Sequence, residues 1–176
     1  MSSTANASGH HTLSGDTQKV VQLMNSLPTD DKLALLYFIY EKMGDSITPA
    51  APIAAEPEIA PLLLDDFYNL SDDNQLAVMR AIANGEDTEY SRAYGALTAN
   101  NQLVVWYAWA QGMGDTVVDL PDNYQATQAL NNALDQIEKL NFEQQISVLR
   151  DAANQMGFSD VKPIPTQAEV GKTSSL

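Results

Sequence analysis

The sequence contains no cysteine and little positive charge, and each deficit excludes a class of function. Without cysteine the chain can form no disulfide, no thiolate zinc site and no cysteine nucleophile. Nine lysines and arginines stand against 23 aspartates and glutamates, which gives a formal net charge of −14. Because nucleic acids and anionic membranes are bound through clustered basic residues, we expect the chain to bind neither of them.

Histidines and long apolar runs are also scarce. His10 and His11 are the only histidines and both fall in a polar N-terminal segment, so none is left for general acid–base catalysis in the remainder of the chain. We therefore predict no catalytic residue, no metal site and no enzymatic activity. No apolar run is long enough to span a bilayer, and the N-terminus lacks the pattern of a secretory signal, so we expect a cytoplasmic protein.

What the chain does contain is a long stretch of helical periodicity between two polar ends. Residues 1–15 are rich in Ser, Thr, Asn and Gly and predict a mobile arm, and residues 161–176 predict a flexible tail. In the domain between them, residues 16–160, apolar residues recur every three or four positions. This spacing predicts helices near 16–26, 30–43, 57–69, 72–84, 87–97, 100–113, 123–139 and 142–156.

Short polar residues and glycines mark the expected ends of these helices. Asp, Ser and Asn side chains can accept hydrogen bonds from the first turn of a helix, and glycine readily adopts the left-handed conformation that ends one. We predict N-caps at Asp30, Ser71, Asp87 and Asn141, and helix ends at Gly44, Gly85, Gly114 and Gly157.

An internal repeat is the most informative feature of the sequence. Residues 27–45 align with residues 97–115, and residues 70–84 align with residues 140–154, both at an offset of 70 (97 − 27 and 140 − 70). The alignment pairs identical residues, among them Leu33 with Leu103, Tyr37 with Tyr107, Gln75 with Gln145, and Arg80 with Arg150. An offset that stays constant over two separate segments indicates a duplicated unit.

The duplication predicts an all-α fold made of two related parts. The two units cover about residues 27–84 and 97–154, and they would form two four-helix bundles or one pseudo-symmetric pair. The surface between two such units is a natural place for a ligand cleft.

In each unit one helix carries a stripe of aliphatic, aromatic and methionine side chains on a single face. The first stripe consists of Leu33, Leu36, Tyr37, Tyr40 and Met43, and the second of Leu103, Trp106, Tyr107, Ala110 and Met113. Taken alone, such a stripe is more typical of an ordinary core than of a ligand site. The aromatic rings, the tyrosine hydroxyls that need a polar partner and the adaptable methionines favour a ligand pocket instead.

Three segments of the chain resemble a known family. They are Asp31–Gly44 (DKLALLYFIYEKMG), Asn100–Tyr107 (NNQLVVWY) and Gln144–Phe158 (QQISVLRDAANQMGF). With these segments the chain resembles the helical carotenoid proteins, the stand-alone relatives of the N-terminal domain of the cyanobacterial orange carotenoid protein. The resemblance extends from about Val20 to Phe158 and implies two discontinuous, pseudo-symmetric four-helix bundles with a ligand tunnel between them.

The resemblance also implies a ligand and the residues that hold it. The ligand would be a keto-carotenoid (canthaxanthin, echinenone or 3′-hydroxyechinenone) held without a covalent bond. Tyr40 and Trp106 match the positions that stack on an end ring of the carotenoid. The tunnel would be lined by Leu33, Tyr37, Tyr40, Leu103, Trp106, Tyr107 and Ala110. Further wall or mouth positions are Met79, Leu120, Pro121, Tyr124, Ser147, Arg150 and Met156, and Leu36, Met43 and Ala153 complete the candidate set.

Several positions depart from the family pattern. Tyr37 stands where the orange carotenoid protein has a second tunnel tryptophan, and Ala108 stands where it has an arginine. Arg150 matches the arginine that bridges to the C-terminal domain and contacts the phycobilisome, but Asp151 follows it in place of an asparagine. Together with the net charge of −14, these changes argue against quenching at the phycobilisome. We also expect no C-terminal sensor domain and no photoswitch.

Arg80 and Arg150 occupy equivalent positions in the repeat and allow two interpretations. The structural one is a symmetric pair of salt bridges to neighbouring helices. The functional one is a partner contact at Arg150, and by resemblance Arg80 would lie at the same docking surface. The residues alone leave both interpretations open.

These observations lead to one principal hypothesis and two alternatives. We expect a water-soluble keto-carotenoid-binding protein that acts in photoprotection, by quenching singlet oxygen or by storing and delivering the pigment, with the thylakoid surface as one place of action. A separate protein similar to the C-terminal domain could donate the carotenoid. The first alternative is an effector that docks on phycobilisomes and quenches antenna excitation, and the second is a helical adaptor without a ligand.

Overall fold

The computed structural model describes residues 15–47 and 57–160 of the chain. Within these residues the chain forms eight α-helices and two short 3₁₀ turns, and it has no β-strand. The all-α prediction is therefore confirmed, whereas nearly all of the predicted arm and the whole predicted tail lie outside the described residues. The helices are α1 (Gly15–Asn25), α2 (Thr29–Ile47), α3 (Pro61–Leu64), α4 (Asp72–Asn84), α5 (Glu89–Gly95), α6 (Ala99–Gly112), α7 (Gln128–Glu138) and α8 (Phe142–Asn154), and the 3₁₀ turns are Pro57–Ile59 and Asp66–Asn69.

The helices follow the repeat found in the sequence. Helices α4 and α8 differ by 70 residues at both ends (142 − 72 and 154 − 84). One side-chain contact also recurs at this offset. Gln75 Nε2 donates to the carbonyl oxygen of Phe67 at 3.2 Å, and Gln145 Nε2 donates to that of Ile137 at 3.0 Å. In both units a glutamine of the last helix is therefore tied to the element before it.

Two of the predicted N-caps are correct, and the failure at α5 has a local cause. The side chains of Ser71 and Asn141 accept hydrogen bonds from the first turns of α4 and α8, as predicted. Helix α5 is capped by Thr88, whose hydroxyl oxygen accepts from the third residue of the helix, and not by the preceding Asp87. The carboxylate of Asp87 is instead paired with Arg92 at 2.6 Å.

Other predicted helix boundaries also differ from the structure. Helix α2 begins one residue before its predicted cap and continues three residues beyond Gly44 to its end at residue 47. The predicted helix 57–69 is broken into a 3₁₀ turn, the short α3 and a second 3₁₀ turn, because Pro61 lacks the amide hydrogen that a helix interior needs and can only begin a helix. The predicted helix 123–139 starts later, after Thr127, whose side chain caps it.

The helices pack in two groups that meet along α2 and α6. In the first group, α7 and α8 each contact both α1 and α2, and in the second, α5 contacts α3 and α4, while α3 contacts α6. Helices α2 and α6 contact each other, and α2 also reaches α4 whereas α6 reaches α8. The two helices that carry the predicted stripes therefore lie at the centre of the molecule.

Residues 157–160, which follow α8, dock against α5. The backbone amide of Phe158 donates to the carbonyl oxygen of Ser91 at 3.1 Å, and the guanidinium of Arg92 lies 4.7 Å from the centroid of the Phe158 ring. At the end of α5, Gly95 approaches the Phe158 backbone so closely that a Cβ atom would collide with its carbonyl oxygen. The segment can take this position only because residue 95 has no side chain.

The close contact at Gly95 predicts that Gly95→Ala destabilises the protein. The added methyl group must displace a backbone segment, and overpacking of this kind lowers the free energy of unfolding by about 1–3 kcal/mol. Gly15→Ala is the matched control, since a Cβ atom there meets nothing within 4 Å, and it should be neutral or stabilising by less than about 1 kcal/mol. Urea unfolding of both variants measures the difference, and equal stabilities would contradict the packing described.

The connection between α6 and α7 is held at two points. Gln75 on α4 accepts a hydrogen bond from the amide of Val118 at 2.7 Å and donates one to the carbonyl oxygen of Thr116 at 2.9 Å. Further along, the hydroxyl of Tyr124 donates to Asp31 Oδ1 on α2 at 3.0 Å. Burial, reinforced by the hydrogen bond to the Asp31 carboxylate, raises the pKa of Tyr124 to about 12.

The raised pKa of Tyr124 predicts a loss of stability at alkaline pH. An ordinary tyrosine loses its proton near pH 10, and Tyr124 in the folded chain near pH 12, so its contribution is complete below the lower value and is lost between the two. The difference in free energy of unfolding between the wild type and Tyr124→Phe should therefore stay constant near neutral pH and shrink above pH 10. Urea unfolding at a series of pH values tests this, and a difference that never changes would count against it.

Candidate functional site

Tyr40 of α2 meets α6 at the centre of the molecule. Its ring packs edge-on against that of Tyr107, with centroids 6.0 Å apart, and its hydroxyl donates to the carbonyl oxygen of Leu103 at 3.4 Å. All three residues are buried. Burial raises the pKa of Tyr40 far above its usual value, so the hydroxyl stays neutral. The two predicted stripes therefore contact each other directly through uncharged aromatic groups.

Trp106 is connected to the rest of the core through a tyrosine that the sequence analysis missed. The indole Nε1 of Trp106 donates to the hydroxyl oxygen of Tyr94 at 2.8 Å, and that hydroxyl donates to the carbonyl oxygen of Ala153 at 2.7 Å. Tyr94 lies outside the segments that align in the repeat and belongs to neither stripe, so the stripes do not indicate it. Its counterpart at the offset of 70 is Met24, and both positions are buried. Extending the repeat to α1 and α5 is the signal that could have indicated it.

A second missed cluster continues the aromatic surface toward α3. The ring of Trp109 stacks on Phe67 with centroids 4.1 Å apart, and its Nε1 donates to the carbonyl oxygen of Leu63 at 3.0 Å. Trp109 also lies edge-on to Trp106, with centroids 5.3 Å apart. The aromatic cluster therefore reaches from the two stripes into the second group of helices.

Tyr37 lies at the outer edge of this region and not at its centre. Its half-buried ring is tilted against Phe38 at 5.5 Å, and the Phe38 ring is in turn 6.4 Å from that of Tyr124. Burial, followed by the nearby charges of Glu41 and Asp119, raises the pKa of Tyr37. The position is therefore a boundary between apolar surface and acidic groups, and its place in the lining of a tunnel stays a prediction.

The other candidate residues are buried, half-buried or exposed. Leu36, Met79, Ala153 and Met156 are buried. Leu33, Met43, Ala110, Leu120, Tyr124, Ser147 and Arg150 are half-buried, and Pro121 is exposed. The structure thus brings Tyr40, Leu103, Trp106, Tyr107 and Ala153 together around α6 and leaves Pro121 on the surface. That these residues line a continuous tunnel stays a prediction.

The two equivalent arginines differ in their partners. Arg80 forms a two-pronged salt bridge with Asp30, at 2.8 and 2.9 Å. Arg150 donates to the amide oxygen of Asn100 at 2.7 Å, and among the described residues it forms no salt bridge. The prediction of symmetric salt bridges is therefore correct for Arg80 and wrong for Arg150, because the repeat has an amide at position 100 where it has a carboxylate at position 30.

The core is neutral wherever the structure describes it. Its buried polar side chains are those of Thr17, Gln75, Ser91 and Gln102, and none of them carries a charge. In the same residues no three acidic or histidine side chains come together as a metal site would require. No described helix combines the length and the apolar character needed to cross a membrane. A neutral, aromatic-rich interior suits a large apolar ligand better than an ionic one.

Comparison with known proteins gives the family. The sequence model described as "Orange carotenoid protein, N-terminal" matches residues 10–159. An orange carotenoid-binding domain-containing protein of Nostoc sp. PCC 7120 is 38% identical over 138 residues, which cover 78% of this chain and 81% of that protein.

Two solved structures from Anabaena (Nostoc) sp. PCC 7120 are similar to this fold. The red carotenoid protein binding canthaxanthin has a TM-score of 0.71 and 35% identity, with 81% of this chain and 99% of that chain covered. The orange carotenoid protein binding canthaxanthin has a TM-score of 0.74 and 33% identity over 84% of this chain, which spans only 48% of that longer chain. The chain therefore belongs to the family of the orange carotenoid protein N-terminal domain.

Proposed function

We propose that this protein binds a keto-carotenoid without a covalent bond and acts in photoprotection. The observation that carries the proposal is the contact between α2 and α6. There Tyr40 and Trp106 are both buried in a neutral core, and by resemblance they match the positions that in the family stack on a carotenoid end ring. The canthaxanthin-bound relatives with the same fold support the ligand class.

Different residues of the chain would contact different parts of the pigment. Tyr40 and Trp106 would face one end ring, and the aliphatic and methionine residues of the two stripes would pack along the polyene. Tyr37 and Tyr124, at the outer edge, would mark where the pigment leaves the core. The bound carotenoid supplies the quenching of singlet oxygen through its polyene, and the protein supplies orientation and solubility.

The hydrophobic effect is strong enough to hold such a ligand. At about 25 cal/mol per Å² of apolar surface removed from water, burying several hundred Å² gives on the order of 10 kcal/mol before the costs of association. No ion pair is required, in agreement with the neutral core. The net charge of −14 keeps the complex dissolved, since like-charged particles repel one another. Storage or delivery of the pigment would use the same properties.

Expression in a host that makes canthaxanthin tests the proposal. The purified protein should be coloured and should absorb in the blue-green with a broadened, red-shifted band relative to the free pigment. A colourless protein, folded by circular dichroism and obtained from pigmented cells, would overturn carotenoid binding.

A pair of α6 variants provides the matched control for the same experiment. Ala110→Phe should lower the amount of pigment per protein, because the ring would fill space on the stripe side of α6. Ala108→Phe adds the same ring at another half-buried position, two residues away and roughly 200° around the helix, so it should leave the pigment content near that of the wild type. Equal pigment content in both variants would remove Ala110 from the site. Thermal unfolding of both variants checks that they fold.

Docking on phycobilisomes is the second candidate function, and Arg150 favours it. Among the described residues its guanidinium is paired with a neutral amide and with no carboxylate, so its charge remains available to an acidic partner, unlike that of Arg80, which is paired with Asp30. If this role is correct, holoprotein should lower the fluorescence of purified phycobilisomes, and Arg150→Ala should abolish the effect. Lys139→Ala, which removes one charge from an exposed position directly after α7, should retain it. Unchanged fluorescence with the wild type would rule the role out.

A further inference from the structure

Tyr94 connects three helices through a single buried hydroxyl. The residue is fully buried on α5. Its hydroxyl accepts from Trp106 Nε1 on α6 at 2.8 Å and donates to the carbonyl oxygen of Ala153 on α8 at 2.7 Å. A tyrosine hydroxyl has one hydrogen to donate and can accept as well, so this geometry uses it in both directions.

The bond to Tyr94 limits how the Trp106 ring can turn. An indole has only one hydrogen-bond donor, and Trp106 is 4% exposed, so no water can replace the tyrosine at that atom. Turning the ring would leave a buried N–H without a partner, which is costly in an apolar core. The edge contacts with Tyr94 at 6.0 Å and Trp109 at 5.3 Å oppose the same movement.

Tyr94 is itself held from the backbone side. The side chain of Gln102 donates to the Tyr94 carbonyl oxygen at 3.1 Å. Gly157 lies against the ring, where a Cβ atom would come within 2.5 Å of Tyr94 Cδ1. Because Gly157 belongs to the segment docked on α5, the position of the hydroxyl depends on that segment.

We propose that Tyr94 is the positioning residue that orients the Trp106 ring for contact with the carotenoid end ring. The proposal rests on the proposed function, which places Trp106 against the pigment. Tyr94 itself is assigned no contact with the ligand, and its role is exerted through the indole N–H. Removing the hydroxyl should therefore change the ring's orientation while leaving the apolar surface of the site intact.

The first experiment uses the protein without pigment. The chain has two tryptophans, so a nitrogen–proton correlation spectrum contains two indole signals, which Trp106→Phe and Trp109→Phe assign. Tyr94→Phe should displace the Trp106 signal strongly and the Trp109 signal weakly. Tyr90→Phe removes a hydroxyl from a half-buried tyrosine of the same helix and should displace neither.

The second experiment uses the canthaxanthin complex. Tyr94→Phe should alter the shape of the visible band and increase the loss of pigment to lipid vesicles by about 3- to 10-fold, the effect of one neutral hydrogen bond. Tyr90→Phe should match the wild type. In a Trp106→Phe background, Tyr94→Phe should have no further effect on the band, because the group through which it acts is gone.

The outcomes separate this proposal from the proposed function. An unmoved Trp106 signal in Tyr94→Phe, or an unmoved band in a variant whose signal does move, overturns the positioning role while carotenoid binding stands. A wild type that takes up no canthaxanthin overturns carotenoid binding and the pigment role of Tyr94 together, even if the indole signal moves. If Tyr94→Phe does not fold, the canthaxanthin complex of Trp106→Phe provides the test. The positioning role requires that Trp106→Phe alter the visible band, and an unchanged band would overturn it.

Discussion

Helix α6 is apolar on almost every side, and the rest of the structure is arranged around that constraint. A helix of this kind has to be surrounded by other elements, and α2, α3 and α8 pack against it while α5 reaches it through Tyr94. Helix α7, by contrast, buries one face and takes an outer position. The buried side chains of α6 are Gln102, Leu103, Val104, Val105, Trp106, Tyr107 and Trp109. A ligand bound between the two stripes would therefore contact this helix.

The two repeated units share helix bounds and glutamine contacts but differ in the side chains that they place in the core. The glutamine contacts of Gln75 and Gln145 recur, as do the bounds of α4 and α8. The aromatic groups recur only in part, since Tyr37 corresponds to Tyr107 but Leu36 of the first unit corresponds to Trp106 of the second. The repeat thus accounts for the scaffold, whereas the aromatic surface around Trp106 and the amide partner of Arg150 are particular to the second unit.

The all-α fold could be predicted well from the sequence, because the repeat contains the same helical pattern in two aligned copies. The end of α4 at Gly85 could be predicted because glycine readily adopts the left-handed conformation that ends a helix. Gly85 has this conformation, with a φ of 68°. The division of the predicted helix 57–69 into α3 and two 3₁₀ turns could not be predicted, since short 3₁₀ turns have no apolar periodicity to detect. The stripes and the family resemblance predict Tyr40 and Trp106 as site residues, and the structure buries both of them. Apolar spacing along one helix does not indicate Tyr94, because its partners are a side chain and a backbone carbonyl on two other helices. Only an extension of the repeat to α1 and α5 points to this position.

The docking of residues 157–160 on α5 has a mechanical consequence. Residues 157–160 lie beside the helix whose Tyr94 reaches Trp106. Displacement of these four residues from α5 is opposed by the exposed ion pair of Arg92 with Asp160 and by the backbone contacts of Phe158 with α5. Displacement of these residues would therefore act on the indole of Trp106 through Gly157 and Tyr94, without first deforming the helices on the opposite side.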